Sequence, residues 1–383
     1  MTARIIRSIA EVARESWNAL IPDGSPFVRH EFLHALEKYR CVGGETGWEP
    51  AHLVLEDGGQ LQAAIPLYSK AHSWGEFVFD WSWARAYAQA GVDYYPKLVS
   101  MAPFTPATGP RLLVGAHGER RQQLIDELLA FAKRNRVPSV HLLFLSQQDR
   151  VALTHDSFLW RKDCQFHWSN RGYRDFAEFL ATFRADKRKK ALRERRRINE
   201  QGIQFRTLFG EEMDASLWKI VFGFSAATFA AHGNEHYLNI AFFREVAASL
   251  PRTIMVKIAM YEHVPIAAAI FFRSHDTLYG RYWGAAADFH SLHFETCYYQ
   301  GIEYCIAEGL QHFEPGTQGE HKVPRGFEPV TTWSAHWIAE PRFRRAISEY
   351  LQRERDAMDQ YAEQVREHVP FRRDLSEQPL DLK

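Results

Sequence analysis

The chain has 383 residues, too many for one ordinary core, and with 46% apolar and 14% aromatic residues it has the material for two well-packed domains and none of the composition of a disordered chain. Its 47 basic and 47 acidic residues cancel, which argues against a dedicated nucleic-acid coat or a membrane-surface protein. No apolar run approaches the roughly 20 residues that span a bilayer, and residues 1–9 hold Arg4 and Arg7 but no continuous apolar stretch, so a cytoplasmic protein is expected.

In chain order, residues 52–55 and 61–68 are apolar-rich and flank Glu56-Asp57-Gly58-Gly59, a turn cluster that closes a β-hairpin. Residues 77–81 read as a further strand. An amphipathic helix follows over residues 119–136, leading into residues 140–145, a continuous apolar run suited to a central strand. Asn170 and Gly172 break the pattern at residues 169–173, where a domain join is expected. Helical sequence then covers residues 176–201, 214–231 and 241–250.

A second hairpin is expected from residues 254–261 and 266–272, which flank Glu262-His263-Val264-Pro265. Ala268-Ala269-Ile270 in it matches Ala63-Ala64-Ile65 in the first, so the chain reads as duplicated. A strand over residues 277–283, a helix over residues 294–309 ending at the C-cap Gly309, and a short strand over residues 311–314 complete the second half. Residues 341–369 are charged and helical, and Pro370 ends them. The expected organisation is an N-terminal domain of residues 1–168, a C-terminal domain of residues 169–340, and a helix and tail over residues 341–383. A meander of antiparallel strands passing into helix and then strand is the order of a GNAT acyltransferase core, here present twice.

Cys41, Cys164, Cys297 and Cys305 show no Cys-x-x-Cys spacing, so they read as buried hydrophobes in a reducing compartment, with no disulfide framework and no metal site. His232-Gly233-Asn234-Glu235-His236 spells a zinc-peptidase pattern, but Gly and Asn directly after the first His are poor helix formers, so His232 reads as a loop residue lining the cleft. Residues 184–201 form a concentrated basic helix in which Lys187, Lys190 and Arg193 share a face. Its expected partner is anionic, either tRNA phosphates or a pyrophosphate-bearing precursor, and a merely solvated face is the plainer alternative.

Several segments together resemble a known family. They are Tyr94-Tyr95-Pro96-Lys97-Leu98, Pro103-Phe104-Thr105-Pro106 with Gly109-Pro110-Arg111, Gln165-Phe166-His167-Trp168, and Phe313-Glu314-Pro315-Gly316-Thr317-Gln318-Gly319-Glu320-His321-Lys322 followed by Arg325-Gly326-Phe327. The chain resembles the Fem-like branch of the GNAT superfamily, and within it the bacterial peptidoglycan biosynthesis/recognition family of predicted N-acyltransferases. The resemblance implies an α/β (α+β) fold of tandem GNAT-like domains with mixed, largely antiparallel sheets, and transfer of an activated acyl or aminoacyl group to an amine. It also implies substrate contacts from Lys97, Arg111, His167 and Trp168. Fem-like enzymes proper take aminoacyl-tRNA as donor and a peptidoglycan precursor as acceptor, so both are expected partners here, with no tightly bound cofactor.

Aminolysis of an ester or thioester needs a proton path, stabilisation of a developing oxyanion and alignment of two reactants. Glu314, Gln318 and His321 are candidates for the proton path, in an order similar to the acidic residue, Gln and His of leucyl/phenylalanyl-tRNA transferases. Lys322 and Arg325 are candidates for holding an anionic group, and Tyr298 or Tyr299 for protonating the leaving oxygen or sulfur. The segment after Trp283 lacks the Gln/Arg-x-x-Gly-x-Gly/Ala loop that cradles the CoA pyrophosphate, which disfavours acyl-CoA as donor. An acyl-CoA-dependent N-acetyltransferase and a non-catalytic binding protein on the same fold remain the alternatives.

Overall fold

The computed structural model describes residues 1–22, 24–153, 157–286, 289–317 and 319–372. Two compact units make up the chain: the first comprises Met1–Asp163, Tyr237–Val246 and Thr331–Asp359, the second Cys164–His236, Ala247–Val330 and Gln360–Lys383.

In the first unit, β1 (Thr2–Ile6), β2 (Trp48–Pro50), β3 (His52–Asp57), β4 (Gln60–Ile65), β5 (Tyr68–Lys70), β6 (Lys97–Ser100) and β7 (Ser139–Leu142) build two sheets. The hairpin of β3 and β4 joins β1 in the order β1-β3-β4. The other runs β2-β5-β6-β7 and continues into Glu328–Ile338, where Ala335 pairs with Leu142. Residues 61–68, expected as one strand, divide at Pro66, which has no N–H for a ladder; Tyr68 begins a strand of the other sheet.

Residues 77–81 are likewise not a strand. Phe77 takes a left-handed backbone (φ 58°), and Trp81–Gln89 is a helix with Trp83 and Tyr87 buried at i, i+4 spacing. β6 and β7 are parallel, with Val99 opposite His141, and are linked by Arg120–Arg134, whose Leu124, Ile125, Leu128, Leu129 and Ala132 are buried.

The second unit takes the Cys164–Ser169 part of β8 (Phe158–Ser169), then β9 (Gln204–Phe209), β10 (Ile254–Tyr261), β11 (Val264–Arg273), β12 (Thr277–Ala285) and β13 (His312–Glu314), in the spatial order β8-β13-β12-β11-β10-β9. Glu262 and His263, both with positive φ, form the two-residue turn between β10 and β11. β12 and β13 are parallel, joined through the helical segments Leu292–Phe294, Glu295–Tyr299 and Gln300–Ala307. Each unit has an antiparallel hairpin and, later in the chain, two parallel strands joined through helix; in the first unit β5 and Trp81–Gln89 intervene, and the hairpin lies in a different sheet from the parallel pair. Phe166, Trp168, Phe179, Phe271, Leu278, Ile302, Phe313 and Phe327 pack into the core of the second unit. Among the described residues, no helix is long and apolar enough to cross a membrane.

Candidate functional site

Parallel pairing of β12 with β13 lasts only from Thr277 opposite His312 to Tyr279 opposite Glu314, whereas β12 runs on to Ala285. At that point β12 carries a bulge against β11: Phe271 pairs with Gly280 and Ile270 with Tyr282, so Arg281 is the extra residue. A Cβ on Gly280 would crowd the Pro315 backbone at 3.2 Å. A pocket of about 80 Å³ opens here, with Arg281, Tyr282, Trp283, His293, Cys297, Tyr298 and Pro315 in its wall.

Tyr298 reaches the pocket from a π-helical turn, Glu295–Tyr299, a local widening of the helix that recurs at functional sites. Its hydroxyl is 2.8 Å from His321 Nε2. His321 is delivered by the short 3₁₀ helix Glu320–Arg325 after Gly319, whose φ is 105° and where a Cβ would lie 2.0 Å from the His321 ring. Only glycine fits there. Burial raises Tyr298 well above the usual tyrosine range, so the phenol keeps its proton. Burial, then the Lys322 and Arg325 charges, lower His321, which leaves its imidazole neutral at neutral pH. His293 packs beside both rings and is pushed down to about 4, chiefly by burial.

Lys322 is 2% exposed and donates to the Gly316 carbonyl at 2.6 Å. Burial pushes it down to about 7; Cys297 opposes that shift and Arg281 adds to it. Arg325 instead spends its fork on Glu194, with Nε at 3.1 Å and Nη2 at 2.7 Å, while Nη1 donates to the His321 carbonyl and the guanidinium lies over Phe294. Tyr299 also donates to Glu194, at 2.6 Å. Glu314, half-buried at the end of β13, acts electrostatically on Arg281.

Of the residues singled out from sequence, Glu314, Tyr298, His321, Lys322 and Arg325 thus gather in one region of the second unit. His167 belongs with them, since the Lys322 charge is felt at its imidazole, which burial pushes down to about 3. Trp168 lies in the core, against Tyr173 and Phe179. Gln318 lies outside the described residues. His232 caps the end of Ala215–Ala231, exposed and bonded to the Thr228 carbonyl. Lys190 and Arg193 are exposed on Ala185–Glu200, and Lys187 is half-buried.

Lys97 and Arg111 belong to the first unit. Arg111 is buried and donates to the carbonyls of Leu143, Pro110 and Ala107. Lys97 is buried against Ser73, Glu76 and Asp80.

The reading of residue types missed Arg281, His293 and Glu194. Arg281 had one visible mark, a permanent charge following glycine inside an apolar strand. Nothing local marks Glu194, whose partners lie more than 100 residues away.

Compared with known proteins, residues 8–373 match the FemAB-like family, described as peptidoglycan biosynthesis/recognition. Among curated proteins, none matches the sequence. The structure is similar to that of FemX (TM-score 0.53, 11% identity, covering 91% of this chain and all of FemX). It is also similar to the C-terminal domain of a protein from Agrobacterium fabrum named as a lysylphosphatidylglycerol synthetase (TM-score 0.55, 11% identity, 89% of this chain and 96% of that one). L-PGS from Bacillus licheniformis has a TM-score of 0.51 at 9% identity over 86% of this chain and 98% of its own. At such identities the likeness is one of fold.

Proposed function

The chain belongs to the FemAB-like, peptidoglycan biosynthesis/recognition family, and from that premise we propose that it is an N-acyltransferase whose reaction takes place at the pocket beside the β12 bulge. The observation that carries the reading is the hydrogen bond of Tyr298 to His321 in the pocket wall, a protonated phenol backed by a neutral imidazole.

Attack of an amine on an activated carbonyl forms a C–N bond and breaks a C–O or C–S bond, so one proton must leave the nitrogen and one must reach the departing oxygen or sulfur. Tyr298 supplies the second. With His321 in the tautomer that donates from Nε2, the phenol proton is free to face the pocket, and Nε2–H hydrogen-bonds the resulting phenolate until a proton from solvent restores the phenol. Glu314, at the end of β13, takes the amine's proton. The amine is that of a peptidoglycan precursor, and the donor is aminoacyl-tRNA rather than acyl-CoA, because the sequence after β12 lacks a pyrophosphate-cradling glycine loop.

The test is product formation from an aminoacyl-tRNA or an acyl-CoA in the presence of an amine acceptor, comparing wild type with Tyr298→Phe. Transfer that is lost in Tyr298→Phe supports the reading. Transfer unaffected by it, or none with any donor, removes it.

A further inference from the structure

His293 and Tyr298 are five residues apart, a spacing that on a regular α-helix leaves two side chains about 140° apart around the axis, on different faces. The turn Glu295–Tyr299 is π-helical, with i→i+5 hydrogen bonding, and so returns the fifth residue over the first. The two rings meet at 5.3 Å, and both stand in the wall of the pocket. Tyr298 is engaged by His321 through its hydroxyl. His293 is half-buried among rings: besides Tyr298 it meets Trp283 at 5.3 Å, Phe294 at 5.5 Å and His321 at 5.9 Å. Among the described residues its imidazole makes no hydrogen bond.

An imidazole packed in aromatic surroundings is costly to leave without a polar partner, and the pocket is the side from which one can come. The neutral ring has one N–H and one bare nitrogen that accepts. Burial keeps it in that neutral form at neutral pH. We propose that His293 receives the acceptor amine: its bare ring nitrogen accepts a hydrogen bond from the amine's N–H and turns the amine's lone pair toward the acyl carbon, beside the phenol that protonates the leaving group. The ring takes only the hydrogen bond. The proton itself passes to Glu314, so no charge is placed on an imidazole that burial has pushed down to about 4. On this account the π-helical turn sets the two ends of the reaction side by side, His293 at the incoming nitrogen and Tyr298 at the departing oxygen or sulfur. The inference rests on the acyl-transfer reading of the same pocket, and it names the group that selects an acceptor carrying at least one N–H.

The experiment is a fluorine NMR titration of the full chain with trifluoroethylamine, a small amine that is uncharged at about pH 8. Wild type binds it. His293→Phe keeps a ring against Trp283, Phe294 and Tyr298 but loses the accepting nitrogen, and it weakens binding about tenfold, the loss expected for one hydrogen bond left unmade. His293→Gln, whose amide oxygen accepts, recovers part of that loss, which a fault in folding would not allow. In the transfer assay, His293→Phe raises the KM for the amine about tenfold and leaves the KM for the donor unchanged.

Absence of probe binding by wild type overturns the proposal, as does equal binding by wild type and His293→Phe, or a His293→Gln variant no better than His293→Phe. Because the titration needs no turnover, probe binding that depends on His293 in a chain that transfers nothing leaves His293 as an amine-binding group and removes the transferase reading. Transfer whose amine KM is the same in His293→Phe does the reverse.

Discussion

Glu194 and Arg325, 131 residues apart, form a two-point ion pair: Oε1 accepts from Nη2 at 2.7 Å and Oε2 from Nε at 3.1 Å. The basic helix Ala185–Glu200 is thereby tied through its buried acid to the turn that presents His321. A buried pair that loses one partner leaves the other charge uncompensated, at a cost of about 3–5 kcal/mol. Glu194→Ala should therefore lower the melting temperature by roughly 6–20 °C at the 2–4 °C per kcal/mol usual for this size. Thermal denaturation of the variant checks it; a wild-type melting curve would mean the pair anchors nothing.

Tyr298→Phe removes the hydroxyl while keeping the ring that packs on Phe327. If the phenol protonates the leaving group, kcat should fall by about 10²- to 10⁴-fold with KM nearly unchanged, since the proton transfer belongs to the transition state. Steady-state kinetics with the active donor decides the matter. A variant that lost KM instead would place Tyr298 among the binding groups.

Lys190 and Arg193 are exposed, and Lys187 is half-buried with, among the described residues, a single ion pair, at 3.9 Å to Asp186, so none of the three supports the fold strongly. The combined variant Lys187→Glu, Lys190→Glu, Arg193→Glu should melt close to wild type. It should also bind tRNA more weakly, with the slope of log K against log salt smaller by about 2–3, as expected for three lost phosphate contacts. Unchanged tRNA binding in a filter assay over a salt series would make this face a solvated one.

The hairpins, the long helices and the order of elements were legible because each rests on local rules. Gly58-Gly59 and Glu262-His263 mark turns, and Leu124, Ile125, Leu128, Leu129 and Ala132 mark one helical face. Residues 77–81 read as a strand because Phe77-Val78-Phe79 is an apolar run, whereas Glu76 and Asp80 turn inward onto Lys97, a contact that no local pattern announces. At the site, Tyr298, His321 and Lys322 could be chosen as chemical types, but pairing Tyr298 with His321 needed the π-helical turn. Arg325 shows the converse: a guanidinium chosen for an anion is occupied by Glu194, because burial made an internal carboxylate its partner.

In the first unit, Lys97 is fully buried and donates to Asp80 at 2.5 Å and to Glu76 at 2.8 Å. The two acids titrate differently. Burial would raise both; at Asp80 the Lys97 charge, His141 and hydrogen bonds more than offset it and hold the carboxyl below its usual range. At Glu76 burial wins, helped by the Asp80 charge and resisted by Lys97 and Lys70, and the carboxyl is pushed up to about 7 from an ordinary 4.5.

A raised carboxyl stabilises the fold through its bound proton, so this contribution is complete below the unfolded value and is lost as pH rises through about 7. Glu76→Gln keeps the shape without the charge. Its melting temperature should match wild type near pH 5 and exceed it near pH 8, by an amount on the order of 3 kcal/mol in stability. Asp80→Asn, which strips Lys97 of its counterion, should destabilise at both pH values. Chemical denaturation of the three proteins at the two pH values measures this directly. A Glu76→Gln difference of the same size at both would show that Glu76 is ionised throughout and that Lys97 balances two charges rather than one.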